Sequence, residues 1–408
     1  MALREPKDVL HKGRRLDEIL DAHARWLRNE AGGVRADLTE GKLFSVRLRG
    51  RDLSYANLTQ CDLHLSDLRE CDLIHAELAQ ADLRDISAPD GDWSFVIATQ
   101  AQCHKADFSR CEMQEIMFDE AHLIATRLRG AGLVEASFRS AKLFRADLRG
   151  SDLTQAQCAD AEWTDARLGS ARLHEVDFVR CRMFGADCRG AEFLRANLRQ
   201  TKFDEAWLGH TRIRECDLSS TFGLENVKHF GPTSLDAETM ARSGKLPTAF
   251  LYGAGVPASQ TKDPSPQEAS PRVPICFVAF TGRDAELANR LRLDLMANGV
   301  RTWLQPEEVR WDGIELDRSP CDRLIVICSR AALQSRALVR EIEGALAREE
   351  RERADVLVPV RVDDYVVDEW EHEQKPAVLA KTVGDFRSWK NQELYRSALD
   401  WLLHALSM

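Results

Sequence analysis

Two stretches of the chain carry residue types that suit chemistry. Glu341, in SRALVREIEGALAREE, lies on a segment of helical spacing, and the residues three and four positions away are Leu338, Ala337, Gly344 and Ala345. No basic side chain is therefore placed to pair with it along a helix. It borders the apolar stripe of Leu338, Ile342, Ala345 and Leu346. That setting suits a carboxylate at the edge of a cleft, and it also suits a solvated helix acid. Phe280, Thr281, Gly282 and Arg283 form a turn between a strand-like and a helix-like segment. Backbone N–H groups and a basic side chain in such a turn can hold a pyrophosphate. The alternative is a plain turn with Asp284 as N-cap. Trp303, inside a strand-like run, is either core or site.

These residues need a scaffold, and the pattern after Pro274 supplies one. The apolar runs PICFVAF, VRTWL, RLIVICS and VLVPVRV alternate with helical patterns in DAELANRLRLDLMANG, SRALVREIEGALAREE and NQELYRSALDWLLHAL. Continuous apolar strands alternating with helices predict a parallel, doubly wound α/β sheet. Ligands of such sheets sit at the carboxyl ends of the strands, which points to the residues just after Phe280, Leu304 and Ser329.

The first half of the chain is built differently. From Leu38 to Leu218 an apolar residue returns at every fifth position without a slip, which makes 37 units. Two positions before it stands Ala in 19 of the 37 units, and nearly all the others are small or β-branched; Arg51 alone clashes. Neither a helix nor a flat strand keeps a five-residue period on one face. A chain that turns a corner every five residues closes a square after four units. Coils stacked at strand spacing rise roughly 4.8 Å each, so about nine coils give a rod on the order of 40 Å long. The large and the small apolar residue point inward, and in a solenoid such residues are core first of all. Residues 86–100, ISAPDGDWSFVIATQ, are the poorest units, and a bulge or small loop is expected there.

Eight of the eleven cysteines fall on inward positions, whereas His64, His75, His104, His122 and His174 fall on outward ones. Metal sites built from both are thereby disfavoured, and no metal is expected. Reduced thiols used as small hydrophobes imply a cytoplasmic setting. Residues 7–28 have helical spacing and are expected to cap the open first coil. After the rod come a short helix in LDAETMARSG, the apolar LPTAFLYGAGVP, and SQTKDPSPQEASPR, which reads as a flexible tether. The expected division is 1–33 helical cap, 34–221 rod, 222–273 short helix and linker, and 274–408 α/β domain.

The units ADL at 36–38, ANL at 56–58, ADL at 146–148 and ANL at 196–198 resemble the pentapeptide-repeat family, whose A-(D/N)-L-x-x units build a right-handed quadrilateral β-helix. CFVAFTGRDAELANRLRLDLMANGVRTWLQPEE, CDRLIVICSRAALQSRALVREIEGAL and VGDFRSWK resemble a TIR domain of flavodoxin-like fold. The pairing of the two resembles a bacterial architecture. TIR domains divide into adaptors, which only assemble, and enzymes that cleave the nicotinamide–ribose bond of NAD+. The enzymes carry a glutamate in S-x-W-x-x-x-E, matched here by Ser335 and Glu341, with Ala337 in place of Trp. The resemblance implies NAD+ as substrate, no cofactor, and nicotinamide with ADP-ribose or a cyclised relative as products. Trp311, in QPEEVRWDG, occupies the loop that in TIR domains mediates packing between neighbours and borders the pocket. That loop lacks the usual Pro-Gly pair, and only DGIELDRSPC separates Trp311 from Asp322, where most TIR domains hold a second helix.

The resemblance further implies self-association through the TIR domain and the rod, a protein trigger, and a place in anti-phage defence. The non-catalytic adaptor or filament stays open beside it. A third reading is a DNA-mimicking rod that binds topoisomerase. It favours a strongly acidic surface, whereas the acids here are interleaved with many arginines. The net charge of -10 with mixed signs shows no basic footprint for nucleic acid, and no apolar run is long enough to span a bilayer.

Overall fold

The computed structural model describes residues 3–256, 275–306 and 322–407. The chain forms two compact units, the first reaching Val256 and the second running from Pro257, with a short stretch at 229–232 grouped with the second.

The five-residue period becomes a quadrilateral β-helix. Parallel bridges join residues 20 positions apart, as in Asp37 to Asn57 and Asp62 to Asp82. Most corners are turns closed by a bond such as Gly41 N to Leu38 O, 2.9 Å. Every fifth residue from Glu40 to Glu215 has positive φ, and Gly occupies this position at 50, 130, 150, 185 and 190. Only the third residue of each turn is in this region, as in type II turns. The inward residues form one continuous core from Val9 to Leu251. Small polar residues survive at the inward small position because they bond across coils: the Thr126 and Thr201 hydroxyls donate to Cys103 O and Phe178 O. Arg51 escapes by pointing outward and is exposed. The ten described cysteines are buried.

The expected loop at 86–100 is absent. The bridges continue through Ser87, Asp92 and Ile97. The N–H after the central residue is not used by the ladder, and where Asp or Asn precedes the central residue its side chain can accept it, as Asp37 does for Thr39. Pro89 stands at this position, so its missing N–H costs the ladder nothing. Its carbonyl still accepts from Glu70 N at 3.0 Å. Gly91 is needed for clearance, since a Cβ there would lie 2.4 Å from Cys71 O.

The expected N-terminal helix is shorter than 7–28. Leu10–His11 pairs antiparallel with Arg14–Arg15, and α1 runs Leu16–Leu27. Lys12 and Gly13, with φ 48 and 80, make the tight turn, and two consecutive positive φ values are the mark of a type I′ hairpin. Leu16, Ile19, Leu20 and His23 of α1 are buried in the cap. At the far end the helices α2 (Ala237–Ser243) and α3 (Thr248–Ala254) close the rod. Asp236, Thr239 and Ser243 accept the open N–H groups of Glu215, Cys216 and Leu218. Phe250 and Leu251 join the rod core. Residues 233–256 thus belong to the rod unit as its second cap. The expected tether lies outside the described residues.

The second unit is a five-stranded parallel sheet with helices on both faces. Its strands are β1 (Ile275–Phe280), β2 (Arg301–Pro306), β3 (Arg323–Cys328), β4 (Leu357–Arg361) and β5 (Gly384–Asp385), in the order β2-β1-β3-β4-β5. The helices are α4 (Ala285–Ala297), α5 (Arg330–Gln334), α6 (Arg336–Glu352), α7 (Tyr365–Asp368), α8 (Lys375–Ala380) and α9 (Gln392–Ser407). Successive residues of a strand face opposite sides. Cys276, Val278 and Phe280 accordingly pack with α4 and α9, and Phe277 and Ala279 pack with Leu338 and Ile342 of α6. The order is that of flavodoxin-like sheets.

Candidate functional site

Strand order reverses between β1 and β3, and the crevice at such a reversal is where open α/β sheets take ligands. The turn after β1 and the start of α5 after β3 meet there. Thr281 Oγ1 and Ser329 Oγ both donate to Asp284 Oδ2, each at 2.7 Å. Ser329 also accepts from Ala332 N and so caps α5. Asp284 was expected to cap α4 if the turn proved plain, but it makes no capping bond because the two hydroxyls hold its carboxylate. The turn for which pyrophosphate binding and a plain turn were the two readings thus has the Asp284 carboxylate held inside it. Gly282 and Arg283 are exposed, while the Phe280 ring is 4 % exposed and belongs to the core.

Glu341 lies in the second turn of α6. Ser335 is the N-cap of this helix, accepting from Leu338 N at 3.3 Å, so its hydroxyl starts the helix that presents Glu341. Leu338, Ile342 and Ala345 are buried as the sequence pattern requires, which leaves Glu341 half-buried at the rim of that packed stripe. Among the described residues no cation forms a salt bridge with it. Burial raises the Glu341 carboxyl above its ordinary value, and a hydrogen bond from the Gln305 amide opposes part of that rise. Gln305 is 6 % exposed near the end of β2. Sequence reading missed this residue; an amide inside the apolar strand RTWLQP was the available signal. Ala337 is exposed.

Trp303 is corrected from candidate ligand to core. It is 3 % exposed and stacks obliquely on Phe277, with ring centroids 5.8 Å apart. Trp311 and the shortened segment before Asp322 lie outside the described residues. The turn residues Thr281 and Ser329 are therefore brought together, and Ser335 and Glu341 share one helix start. On the rod, Asp62, His64 and Asp82 offer ligand atoms within 4.8 Å of one another, a grouping that a search for Cys and His pairs overlooks. Arg84 already holds Asp82 through bonds of 2.7 and 2.5 Å, so a cation would have to displace a guanidinium.

Fold and site together define a repeat solenoid joined to a flavodoxin-like α/β domain. Family models give each part its name: a TIR domain at residues 276–399, and pentapeptide repeats in 8 copies over 47–85, 117–155, 151–187 and 181–219. The chain is a pentapeptide-repeat protein with a C-terminal TIR domain. Among solved structures it is similar to HetL, a pentapeptide repeat protein involved in heterocyst differentiation regulation from the cyanobacterium Nostoc, at 27% identity, TM-score 0.45, covering 50% of this chain and 95% of that one. It is also similar to full-length QnrB1, a plasmid-mediated fluoroquinolone resistance protein, at 14% identity, TM-score 0.28, covering 52% and 96%. No curated protein matches the chain. Among the described residues no helix is long and apolar enough to cross a membrane.

Proposed function

We propose that the TIR domain cleaves the nicotinamide–ribose bond of NAD+, with Glu341 as the working carboxylate. The observation that supports this most is the state of Glu341: half-buried, without a salt-bridge partner among the described residues, and raised in pKa by its apolar surroundings. Ordinary glycosidases need an acid for the leaving group and a second carboxylate for the oxocarbenium-like centre. Nicotinamide leaves NAD+ as a neutral molecule from a cationic bond, so the acid can be omitted. One carboxylate that holds the ribose hydroxyls and faces the developing positive charge then suffices. Self-association of the TIR domains completes the site, and the rod serves as sensor or assembly platform in a cytoplasmic, anti-phage setting. The test compares NAD+ loss by the full chain at high concentration with that by Glu341→Ala. Loss that persists in the variant removes Glu341 from the chemistry.

One observation favours the adaptor reading instead. The Asp284 carboxylate sits in the turn where a dinucleotide's pyrophosphate would be held, and like charge opposes an anion there. A chain that assembles yet leaves NAD+ intact in the same assay establishes the adaptor.

A further inference from the structure

Many outward carboxylates of the rod are answered by an arginine on the same or a neighbouring coil. Asp67 pairs with Arg69, Asp147 with Arg149, Asp152 with Arg172, and Asp187 with Arg189. One row stands out because four acids follow one another in it. Asp52, Asp72, Asp92 and Glu112 lie directly above one another on four successive coils, joined by the bridges Asp52–Asp72, Asp72–Asp92 and Asp92–Glu112. None of the four makes an ion pair among the described residues. At the corner beside them, the position that holds an Asp-bound Arg at 69, 84, 149 and 189 is filled by Ser54, Ile74, Ser94 and Gln114. Like charges directly opposite on paired strands are destabilising. Asp72 is accordingly raised in pKa, by burial first and then by Asp52 and Asp92.

The same corner carries an aromatic column. Tyr55, His75 and Phe95 stack on successive coils, with centroids 5.0 and 4.7 Å apart, and Trp26 of α1 meets Tyr55 edge-on at 6.1 Å. Tyr55 is 45 % exposed, and just round the corner Ile97 and Met117 are 40 % and 38 % exposed. An apolar stripe and an unpaired acidic row thus run side by side along the first half of the rod.

We infer that this stripe is the docking surface for a short, extended, basic segment of another protein, its cationic heads on the carboxylate row and its apolar stems on the aromatic column. Charge complementarity selects the cation. The adjoining rings and Ile97 and Met117 select a polypeptide over a bare polyamine, because they ask for apolar side chains beside the charges. Three steps of about 4.8 Å span roughly 14 Å, the reach of four to five extended residues. The inference goes beyond the proposed NAD+ chemistry, since it concerns what the rod senses and does not use Glu341.

The test uses the full chain and a fluorescent heptapeptide alternating Lys or Arg with Leu. A variant with Asp52→Asn, Asp72→Asn, Asp92→Asn and Glu112→Gln should bind it at least tenfold more weakly, and Tyr55→Ser with Phe95→Ser should also weaken it. A control with four exposed acids elsewhere neutralised, at Glu40, Asp85, Glu135 and Asp217, should bind as the parent does. The row variant should melt no lower than the parent, because it removes repulsion. Equal loss in the control, equal affinity for spermine, or a self-association that the row variant abolishes would each overturn the inference; the last would give the surface to a second copy.

Discussion

Phe138 and Phe184 belong to the same repeat but to different positions of the unit, and replacing each by Ala separates packing from mere hydrophobicity. Phe138 is wholly buried on the rod axis, with Phe118 stacked at 5.7 Å on one side and Trp163 at 6.0 Å on the other. A buried aromatic side chain removes roughly 150–250 Å² from water, worth about 4–6 kcal/mol at about 25 cal/mol per Å². Ala keeps part of this, and measured Phe to Ala changes in cores cost about 3–5 kcal/mol. The two ring contacts push the value towards the upper half of that range, so Phe138→Ala should cost about 4 kcal/mol. In a solenoid the loss is felt by the coils on both sides. Phe184 is 51 % exposed, and its replacement should change stability by about 0.5 kcal/mol or less. Guanidinium unfolding followed by far-UV circular dichroism measures both. A cost below about 1 kcal/mol at Phe138, or equal costs at the two sites, would refute the inward–outward assignment.

Gly91→Ala should destabilise the rod by about 1–3 kcal/mol, because its Cβ would meet the Cys71 carbonyl at 2.4 Å, whereas Pro89→Ala should be close to neutral; thermal melting checks both. Glu341→Gln should raise the melting temperature near pH 7. Burial lifts the folded pKa above the unfolded one, so the penalty on the charged form is absent below the ordinary carboxylate range and fully present above the folded pKa. The advantage of the variant should therefore fade as pH falls towards 4, and an advantage that grows on acidification would contradict the assignment. Burial pushes the Cys61, Cys111 and Cys181 thiols up to about 12. These thiols should resist alkylation at pH 8 in the folded chain and react on denaturation, as mass spectrometry would read.

The rod was legible because a single period sets both the corner and the inward face, so thirty-seven apolar positions in one register leave no other structure. Its poorest units misled for a physical reason. Pro89 and Gly91 look like loop residues, yet one replaces an N–H outside the ladder and the other clears a carbonyl of the coil below. The N-terminal hairpin was hidden because Leu10 fits a helical stripe, although it is 66 % exposed, and because Lys12–Gly13 is a weaker turn signal than Asn-Gly. In the TIR domain the strand pattern placed Thr281 and Ser329 at neighbouring strand ends. It did not show that Asp284 would bind both hydroxyls, since that contact spans 45 residues and depends on sheet order. Gln305 was missed for the same reason: its link to Glu341 exists only once β2 and α6 pack.

The most direct measurement is nicotinamide released from NAD+ per chain over time, at a series of protein concentrations, by the full chain and by Glu341→Ala. Release is expected to rise more steeply than protein concentration and to disappear in the variant. Release equal in both, or absent at every concentration at which the chain self-associates, would contradict that expectation.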